Sequence, residues 1–225
     1  MKLLAIDCAA NLCAACVYDA AARQELGRSV LDLGKGHAEH LMAVIAEALK
    51  TTATDYAGLD AIAVSVGPGS FTGLRVGVST ARGLALALKV PAIGVTTLEA
   101  LASEAAAAFL GRPVLAALDA GREEIHAASY DELSVLTYGP AVTTLANAVT
   151  MATESASVLA GTAAAQIAAS AGRTFDIGPR TATADIATYA RLAAAKGGSE
   201  RPKPLYLRGA DAKPQAGFIL SRLTP

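Results

Sequence analysis

A glycine-rich turn carries the sequence pattern that points most directly to chemistry. It reads Gly67-Pro68-Gly69-Ser70-Phe71-Thr72-Gly73 and leads from an apolar run into a helical pattern. Exposed amides at a helix N-terminus can hold an anion, which would make this turn a phosphate loop. However, it lacks the Lys-Ser or Lys-Thr of a Walker A loop, and its glycine spacing differs from the dinucleotide fingerprint. We therefore interpret it as a turn in which Ser70 or Thr72 caps the following helix.

Two histidines, His37 and His40, lie three residues apart near the start of a predicted helix and therefore share a face. A zinc site would need a third ligand and an open position, and His126 is the only other histidine. The stretch His-Ala-Glu-His matches neither metallopeptidase motif of two histidines and a glutamate. Ser70 lacks the second glycine of a nucleophile elbow. We predict no catalytic residue, no metal site and no bound cofactor.

The three cysteines are Cys8, Cys13 and Cys16, and the last two have the spacing of a redox or zinc motif. They fall in a predicted strand, 12–18, in which positions three apart point to opposite faces. This geometry disfavours a disulfide between them, and a zinc site would need further ligands. We predict that all three are buried structural thiols.

The first half of the chain predicts five strands and three helices. Apolar runs indicate strands at 2–7, 12–18, 26–33, 60–66 and 92–95. Helical patterns cover 36–50, 72–88 and a segment that begins at Thr97. The first three strands are expected to be antiparallel and the last two to add in parallel. The order β-β-β-α-β-α-β-α is typical of a ribonuclease-H-like lobe with a mixed sheet flanked by helices.

The second half resembles a looser version of the same α/β arrangement. Strands are predicted at 114–119, 124–130, 157–160 and 205–208, and helices at 163–171 and 184–195. The boundary is expected near Gly111-Arg112-Pro113. Residues 1–111 then form an N-terminal ribonuclease-H-like lobe, and residues 112–225 form a smaller C-terminal α/β lobe. The segment 210–225 is expected to be ordered only by packing on something else.

Composition and charge narrow the possible function classes. Of the 225 residues, 53% are hydrophobic and 17% are charged, which argues against disorder. The formal net charge is -1 and no block of like charge occurs, so the sequence gives no support for a nucleic-acid-binding surface. Asp7 interrupts the N-terminus too soon for a signal peptide, and no apolar run is long enough to span a bilayer. We expect a cytoplasmic protein.

The helix at 72–88 has an unusual stripe of small residues. Gly73, Gly77 and Ala81 recur at every fourth position and so lie along one side. Glycine inside a helix costs about 1 kcal/mol relative to alanine, so we infer that another backbone must come close. We predict that this side meets a partner protein, with the second lobe as the alternative cover. On this interpretation Gly77→Leu leaves the lobe folded and blocks dimerisation.

Several segments together resemble the TsaB (YeaZ) family, the dimerisation subunits of the bacterial machinery that makes threonylcarbamoyladenosine in tRNA. The most specific is Gly-Pro-Gly-Ser-Phe-Thr-Gly-Leu-Arg at 67–75. Further similar positions are 4–7, 36–39, 117–120, 122, 124 and 204–208. The chain departs from the family's pattern at Gly121 and His126, where a basic and an aromatic residue are expected. We therefore draw no inference about the surface of that hairpin.

The resemblance implies a two-lobed fold of the sugar kinase and chaperone ATPase class. It implies a heterodimer with TsaD, the subunit that carries the threonylcarbamoyl transfer, joined by the ATPase TsaE. A homodimer through the same helices is the alternative when the chain is alone. The tRNA adenosine beside the anticodon would be bound mainly by the complex. With the packing argument, the resemblance assigns the docking interface to Ser70, Phe71, Thr72, Gly73, Arg75, Val76, Gly77, Thr80, Ala81, His37, His40 and Leu41.

Two catalytic alternatives stand beside this partner-subunit hypothesis. A phosphotransferase of this fold class has an acid at the end of its first strand followed by a glycine turn, whereas here Asp7 is followed by Cys8-Ala9-Ala10-Asn11. Without the glycine, the backbone is less able to approach a phosphate. An ATP-dependent small-molecule kinase would nevertheless bind nucleotide and lose it on Asp7→Ala. A glycoprotease-like metallopeptidase would bind a metal ion and lose it on His37→Ala.

Overall fold

The first sheet is built by the N-terminal half of the chain. This computed structural model describes residues 1–198 and 201–207. Strands β1 to β5 lie in the spatial order β3-β2-β1-β4-β5. Their bounds are Lys2–Asp7, Leu12–Asp19, Gln24–Asp32, Ala61–Gly67 and Ala92–Thr96. The first three strands pair antiparallel, and β4 and β5 add in parallel. The predicted mixed sheet is confirmed.

The second sheet has the spatial order β8-β7-β6-β9. Its strands are β6 (Val114–Asp119), β7 (Glu124–Tyr130), β8 (Leu136–Thr144) and β9 (Val158–Ala160). β6 pairs antiparallel with β7 and parallel with β9, and β7 pairs antiparallel with β8. Three of these strands match the prediction, whereas β8 was not predicted. The sheets and their flanking helices confirm the α/β class.

Six α-helices and one short 3-10 helix connect the strands within the described residues. The α-helices α1 to α6 are His37–Thr51, Phe71–Leu88, Thr97–Ala108, Leu145–Glu154, Ala164–Ala171 and Ile186–Lys196, and the 3-10 helix is Tyr56–Gly58. Helix α4 was not predicted. In the part of the chain that the structure describes, no helix is long and apolar enough to cross a membrane.

Two helices lie between the sheets and join them through one apolar core. Helix α3 packs on β6, and helix α6 packs on β1 and β2. Their buried side chains Leu101 and Tyr189 belong to the same cluster as Leu3 of β1 and Val114 of β6. Each half of the chain therefore contributes a helix to the layer between the sheets. The lobe boundary near residue 111 stays a prediction.

Helices α1 and α2 cover the outer face of the first sheet. Side chains of β1 alternate between the two layers, because Leu3 and Ala5 contribute to the shared core while Leu4 and Ile6 pack with α1 and α2. The apolar stripe predicted for the first helix is buried in this outer layer. The sheet thus separates two apolar layers, and only the outer one is covered by helices whose far sides face solvent.

The cysteines are all free and buried. Cys13 and Cys16 belong to different apolar layers, which confirms that they point to opposite faces. The neighbour of Cys13 is Cys8, because the β1–β2 register, continued one residue beyond the pair Asp7 and Ala14, sets the two cysteines opposite each other. A hydrogen bond between their thiols raises the pKa of Cys8 and lowers that of Cys13. The sequence interpretation missed this pair.

The C-terminal segment 201–207 runs along the first sheet without forming a strand. The predicted strand at 205–208 is therefore wrong for its described part, and residue 208 lies outside the described residues. Pro202 and Pro204 have no N–H to donate to a ladder, so one hydrogen bond, from the N–H of Leu205 to the carbonyl of Val66 at 2.7 Å, attaches this segment to β4.

Candidate functional site

A buried acid stands where the two halves of the chain meet. Asp7, at the end of β1, is 1% exposed. Its carboxylate accepts hydrogen bonds from the N–H of Ala9 at 2.9 Å and from the hydroxyl of Thr183. The hydroxyl of Thr183 also lies 2.7 Å from the hydroxyl of Tyr189 on α6. The acid is thus bound to the second half of the chain.

The titration of this cluster is governed by burial. Loss of water raises the pKa of Asp7, although the hydroxyl and N–H groups around the carboxylate oppose that shift. Burial and the charge of Asp7 together raise the pKa of Tyr189. The hydroxyls of Ser65 and Thr97 border the cluster, and neither makes a hydrogen bond of ordinary geometry within the described residues. Asp7 is therefore held in a closed polar cluster.

A cavity of about 370 Å³ lies beside the cluster, between the two halves. Residues from the β1–β2 turn and the glycine-rich turn line one side, and Asp119, His126 and Thr162 line the other. Asp7 is not among the residues that line it. The acid that a phosphotransferase would need in this cleft consequently does not face it.

The glycine-rich turn uses its polar groups to fix the start of α2. The N–H of Ser70 donates to the carbonyl of Ala9 at 2.6 Å, and the Ser70 hydroxyl accepts from the N–H of Gly73 at 3.2 Å. Gly69 has no side chain because a Cβ there would clash with the same carbonyl of Ala9. Ser70 is therefore the helix cap that the sequence predicts as one of two candidates.

The two histidines of α1 occupy different environments. His37 is 6% exposed, and its Nε2 lies 3.2 Å from the carbonyl oxygen of Leu12. His40 is exposed. In the described ranges, no group of three or more His, Cys, Asp or Glu side chains is arranged to hold a metal ion.

The residues assigned to the docking interface divide by exposure into three groups. Five are exposed: Ser70, Phe71, Thr72, Arg75 and His40. Two are half-buried: Val76 and Thr80. Five are buried inside this chain: Gly73, Gly77, Ala81, His37 and Leu41. Because these five residues are buried within this chain, the exposed and half-buried residues are the ones whose side chains a partner can reach. The assignment of the set to an interface stays a prediction.

The small-residue stripe of α2 faces the chain's own first sheet. A Cβ on Gly73 would clash with the carbonyl of Cys8. A Cβ on Gly77 would lie 3.6 Å from Cβ of Cys8 and 3.7 Å from Cγ2 of Val64. The glycines therefore allow α2 to approach the end of β1, and the backbone predicted to come close is not that of a partner. Gly77→Leu would add a large side chain to this layer, and the expectation that the variant stays folded and fails to dimerise remains a prediction.

An exposed cluster of two aromatic rings and a guanidinium lies at the start of α2. Arg75 lies 3.8 Å above the ring of Phe71, and its Nε donates to the hydroxyl of Tyr206 at 2.9 Å. The two rings are 5.1 Å apart. The sequence analysis assigns Phe71 and Arg75 to the interface but does not predict their contact with Tyr206. The sequence signal that could have indicated this contact is an aromatic residue, Tyr206, shortly after Pro202 and Pro204.

The remaining exposed and half-buried residues define what we call the α1–α2 face: His40 and Met42 of α1, with Thr72, Val76 and Thr80 of α2. Met42 is 49% exposed although it is a large apolar side chain. Val76 contacts the same outer apolar layer that α1 covers, so this flank of α2 is turned toward α1. The cluster of Arg75 and Tyr206 lies on the opposite flank.

Comparison with known proteins decides the family. The family model of TsaD, described as tRNA N6-adenosine threonylcarbamoyltransferase, matches residues 32–195. TsaB, the tRNA threonylcarbamoyladenosine biosynthesis protein of Escherichia coli, is 35% identical over 133 residues. The chain belongs to the TsaB (YeaZ) family. TsaB of Buchnera aphidicola from Acyrthosiphon pisum is 30% identical over 129 residues, and the chain spans only 55% and 57% of these two relatives.

Other relatives match over more of their length. An uncharacterised protein of Mycobacterium tuberculosis is 33% identical over 210 residues, which cover 85% of this chain and 84% of that protein. The crystal structure of a YeaZ-like protein from Pseudomonas aeruginosa has a TM-score of 0.74 at 24% identity, covering 92% of this chain and 99% of that one. A polyphosphate/ATP-glucomannokinase from Arthrobacter has a TM-score of 0.52 at 14% identity, covering 86% and 98%. These structures show the fold, which is that of the sugar kinase class.

Proposed function

We propose that this chain is a noncatalytic partner subunit. It forms a heterodimer with TsaD and supports transfer of a threonylcarbamoyl group to the tRNA adenosine beside the anticodon. TsaE joins through the heterodimer, and the chain itself carries no cofactor. The assignment to the tRNA modification pathway rests on the family membership, because relatives are named as tRNA threonylcarbamoyladenosine biosynthesis proteins. The complex is expected to act in the cytoplasm.

The proposal that the chain is noncatalytic is supported mainly by the buried, hydrogen-bonded carboxylate of Asp7. A phosphoryl-transfer site needs an acid that reaches a metal ion or a phosphate in the cleft. Here the hydrogen bonds from Thr183 and Ala9 occupy the carboxylate, and its side chain does not line the cleft. Opening that site would break a buried network, which costs more than breaking an exposed one. The burial of this acid supports a noncatalytic role for the chain, in which a partner supplies the chemistry.

The α1–α2 face is the proposed docking surface. It combines an exposed apolar side chain, Met42, with uncharged or titratable polar groups, and it lies on helices that pack firmly on the first sheet. A rigid helix pair is well suited to a helix-on-helix interface. In the absence of TsaD the same face would serve a homodimer. Ser70 caps α2 at the end of this surface, whereas Phe71 and Arg75 belong to the cluster on the opposite flank.

Docking is tested by copurification of tagged TsaD with this chain. Thr72→Arg adds a long charged side chain to the α1–α2 face and is expected to reduce the recovered heterodimer at least tenfold, since an unpaired interface charge costs several kcal/mol. Thr150→Arg makes the same exchange at an exposed position of α4 and serves as the matched control. Equal recovery of both variants would exclude this face as the docking surface.

The catalytic alternatives give opposite results with the isolated chain. A kinase would bind ATP, and the binding would disappear on Asp7→Ala. A metallopeptidase would contain a stoichiometric metal ion after purification, and the metal would disappear on His37→Ala. Neither signal is expected from a partner subunit, so calorimetry with ATP and elemental analysis separate the three functions.

A further inference from the structure

Two adjoining cavities form a groove between the C-terminal half of α2, the edge of β5 and the segment after α6. Their volumes are about 570 and 770 Å³, and they share Gly198 and Arg201. The cationic side chains that line them are Arg82, Lys89, Lys196, Arg201 and Lys203. We call this the basic groove. None of its described lining residues is acidic, whereas residues 199 and 200 lie outside the described range.

The cations of α2 lie in one row along the helix. Arg75, Arg82 and Lys89 follow one another at intervals of seven, so they lie close to one line parallel to the helix axis. The segment 201–207 runs antiparallel beside this row, because Arg201 shares a cavity with Arg82 while Tyr206 contacts Arg75. Neither α2 nor this segment contains an acidic residue. Two positively charged edges therefore face the same groove.

Most of these charges have no anionic partner in the part of the chain that the structure describes. Lys196 pairs with Glu99 at 2.6 Å. Within the described residues, Arg82, Lys89, Arg201 and Lys203 make no ion pair, and all four are exposed. The whole chain has a formal net charge of -1, so the groove concentrates positive charge that the rest of the molecule does not share.

The geometry suits an extended anion better than a compact one. The helix ends beside the groove are the C-termini of α2 and α6, and the partial negative charge of their carbonyls disfavours a bound anion. The N–H groups of the capping residues Lys89 and Gly197 already donate to carbonyls of their own helices. A cradle of free amides for a single phosphate is therefore lacking among the lining residues. Lys196 is engaged by Glu99 and by the carbonyl oxygen of Gly94, 3.5 Å away. Arg82, Arg201 and Lys203 have no such contacts among the described residues and need another explanation.

One end of the groove offers a stacking surface. The ring of Tyr206 is 45% exposed, and it is held in place by Arg75 and by the attachment of Leu205 to β4. Successive cations with an exposed, fixed aromatic ring are the combination that binds single-stranded or looped nucleic acid, in which phosphates follow the cations and a base stacks on the ring.

We propose that the basic groove binds the phosphate backbone of RNA, with a base stacked on Tyr206. The inference rests on the proposed function in one respect, since the RNA that reaches this chain is then the tRNA of the complex. It refines the expectation that tRNA is bound mainly by the complex, because this chain then supplies a contact of its own along the RNA.

The test measures tRNA binding to the heterodimer by fluorescence anisotropy at several salt concentrations. Arg82→Glu/Arg201→Glu is expected to weaken binding at least tenfold and to reduce the slope of log Kd against log salt by about two. Arg23→Glu/Arg173→Glu changes the net charge equally at exposed positions outside the groove and is expected to leave both quantities unchanged. Tyr206→Ala is expected to weaken binding with little change in the salt slope.

The inference is overturned if the groove variant and its control bind tRNA with the same affinity and salt slope. It is also overturned if inorganic phosphate displaces the RNA beyond the effect of chloride at equal ionic strength, because the groove then holds a compact anion. Size-exclusion chromatography of the same variants with TsaD separates the two proposals. A wild-type chain that fails to form the heterodimer contradicts the proposed function, and its groove is then tested with the same RNA and the chain alone.

Discussion

Asp7 is a buried acid whose partners come from both halves of the chain. Ala9 follows it in sequence, whereas Thr183 and Tyr189 belong to the segment before α6 and to α6 itself. A carboxylate satisfied by hydroxyl and N–H groups is held mainly by hydrogen bonds. In this chain Asp7 therefore joins the end of β1 to the segment that leads into α6.

The first prediction concerns the pH dependence of Asp7→Asn. Burial raises the pKa of Asp7 in the folded state, so the wild type binds this proton more tightly when folded than when unfolded. Its contribution to stability is complete below the unfolded pKa of about 3.9 and is lost as pH rises through the folded value. The asparagine side chain is neutral throughout, and its carboxamide oxygen can accept from Thr183. Relative to wild type, the variant should become more stable as pH rises.

Urea unfolding of both proteins from about pH 4 to about pH 8 checks this, with a difference of about 1.4 kcal/mol for each unit by which the pKa is raised. Parallel curves for the two proteins would show that Asp7 does not titrate in this way. Thr183→Val is the control, because it removes the hydroxyl donor and keeps the acid.

Sequence could identify Asp7 but not its environment. The end of an apolar strand and the missing glycine were both visible, and they favoured a structural acid. Thr183 lies 176 residues away in the chain, and nothing in the pattern around it differs from an ordinary loop. Tyr206 was visible only as part of a similar segment, so its contact with Arg75 had to come from the fold.

For helix α2, the sequence analysis correctly inferred that the small residues allow close packing, but it took the neighbour to be a partner protein and not the chain's own first sheet. The two glycines of α2 predicted a close backbone approach, and that approach exists at Gly73, where a Cβ would clash with the carbonyl of Cys8, whereas a Cβ at Gly77 would have ordinary contact distances. Sequence cannot tell on which side of the helix the sheet lies when both sides carry small or apolar residues. The stripe therefore packs inward, and the exposed flanks carry Thr72, Arg75 and Arg82.

The second prediction compares two glycine-to-alanine changes in α2. Gly73→Ala would push a methyl group into the carbonyl of Cys8 and should lower the free energy of unfolding by about 1–3 kcal/mol. Gly77→Ala leaves its methyl group at ordinary contact distances of 3.6 and 3.7 Å and should raise stability by about 0.5–1 kcal/mol through helix propensity.

Gly83→Ala calibrates the propensity gain, because a Cβ there has no neighbouring atom within 4 Å. Thermal or urea unfolding of the three variants gives the comparison. If Gly73→Ala is as stable as Gly83→Ala, the close approach between α2 and β1 is not required by the fold.

Strand β8 and helix α4, which the sequence analysis did not predict, have weak sequence patterns for physical reasons. Strand β8 contains Gly139-Pro140 in its middle, and proline and glycine both reduce the strand signal. It is an edge strand, so most of its side chains are exposed and do not form an apolar run. Helix α4 buries only Ala148 and Ala152, and two alanines give little contrast between its faces.

The whole molecule is held together by the layer between its sheets. Element order predicted two sheets with flanking helices. It did not show that α3 and α6 lie between the sheets, because the order of elements along the chain does not say which face of a sheet a helix covers. The net charge could not predict the basic groove either. A formal charge of -1 is a sum over the whole chain, whereas the fold places Arg82, Lys89 and Arg201 around one groove.

The most direct test of the partner-subunit account is tRNA threonylcarbamoylation in a reconstituted mixture of TsaD, TsaE, ATP, the threonylcarbamoyl donor and tRNA. The account predicts that modification depends on adding this chain, that Asp7→Asn supports it as well as wild type, and that the chain alone neither modifies tRNA nor consumes ATP. Modification that proceeds equally without this chain would contradict the account, as would loss of modification in a stable, heterodimer-forming Asp7→Asn variant.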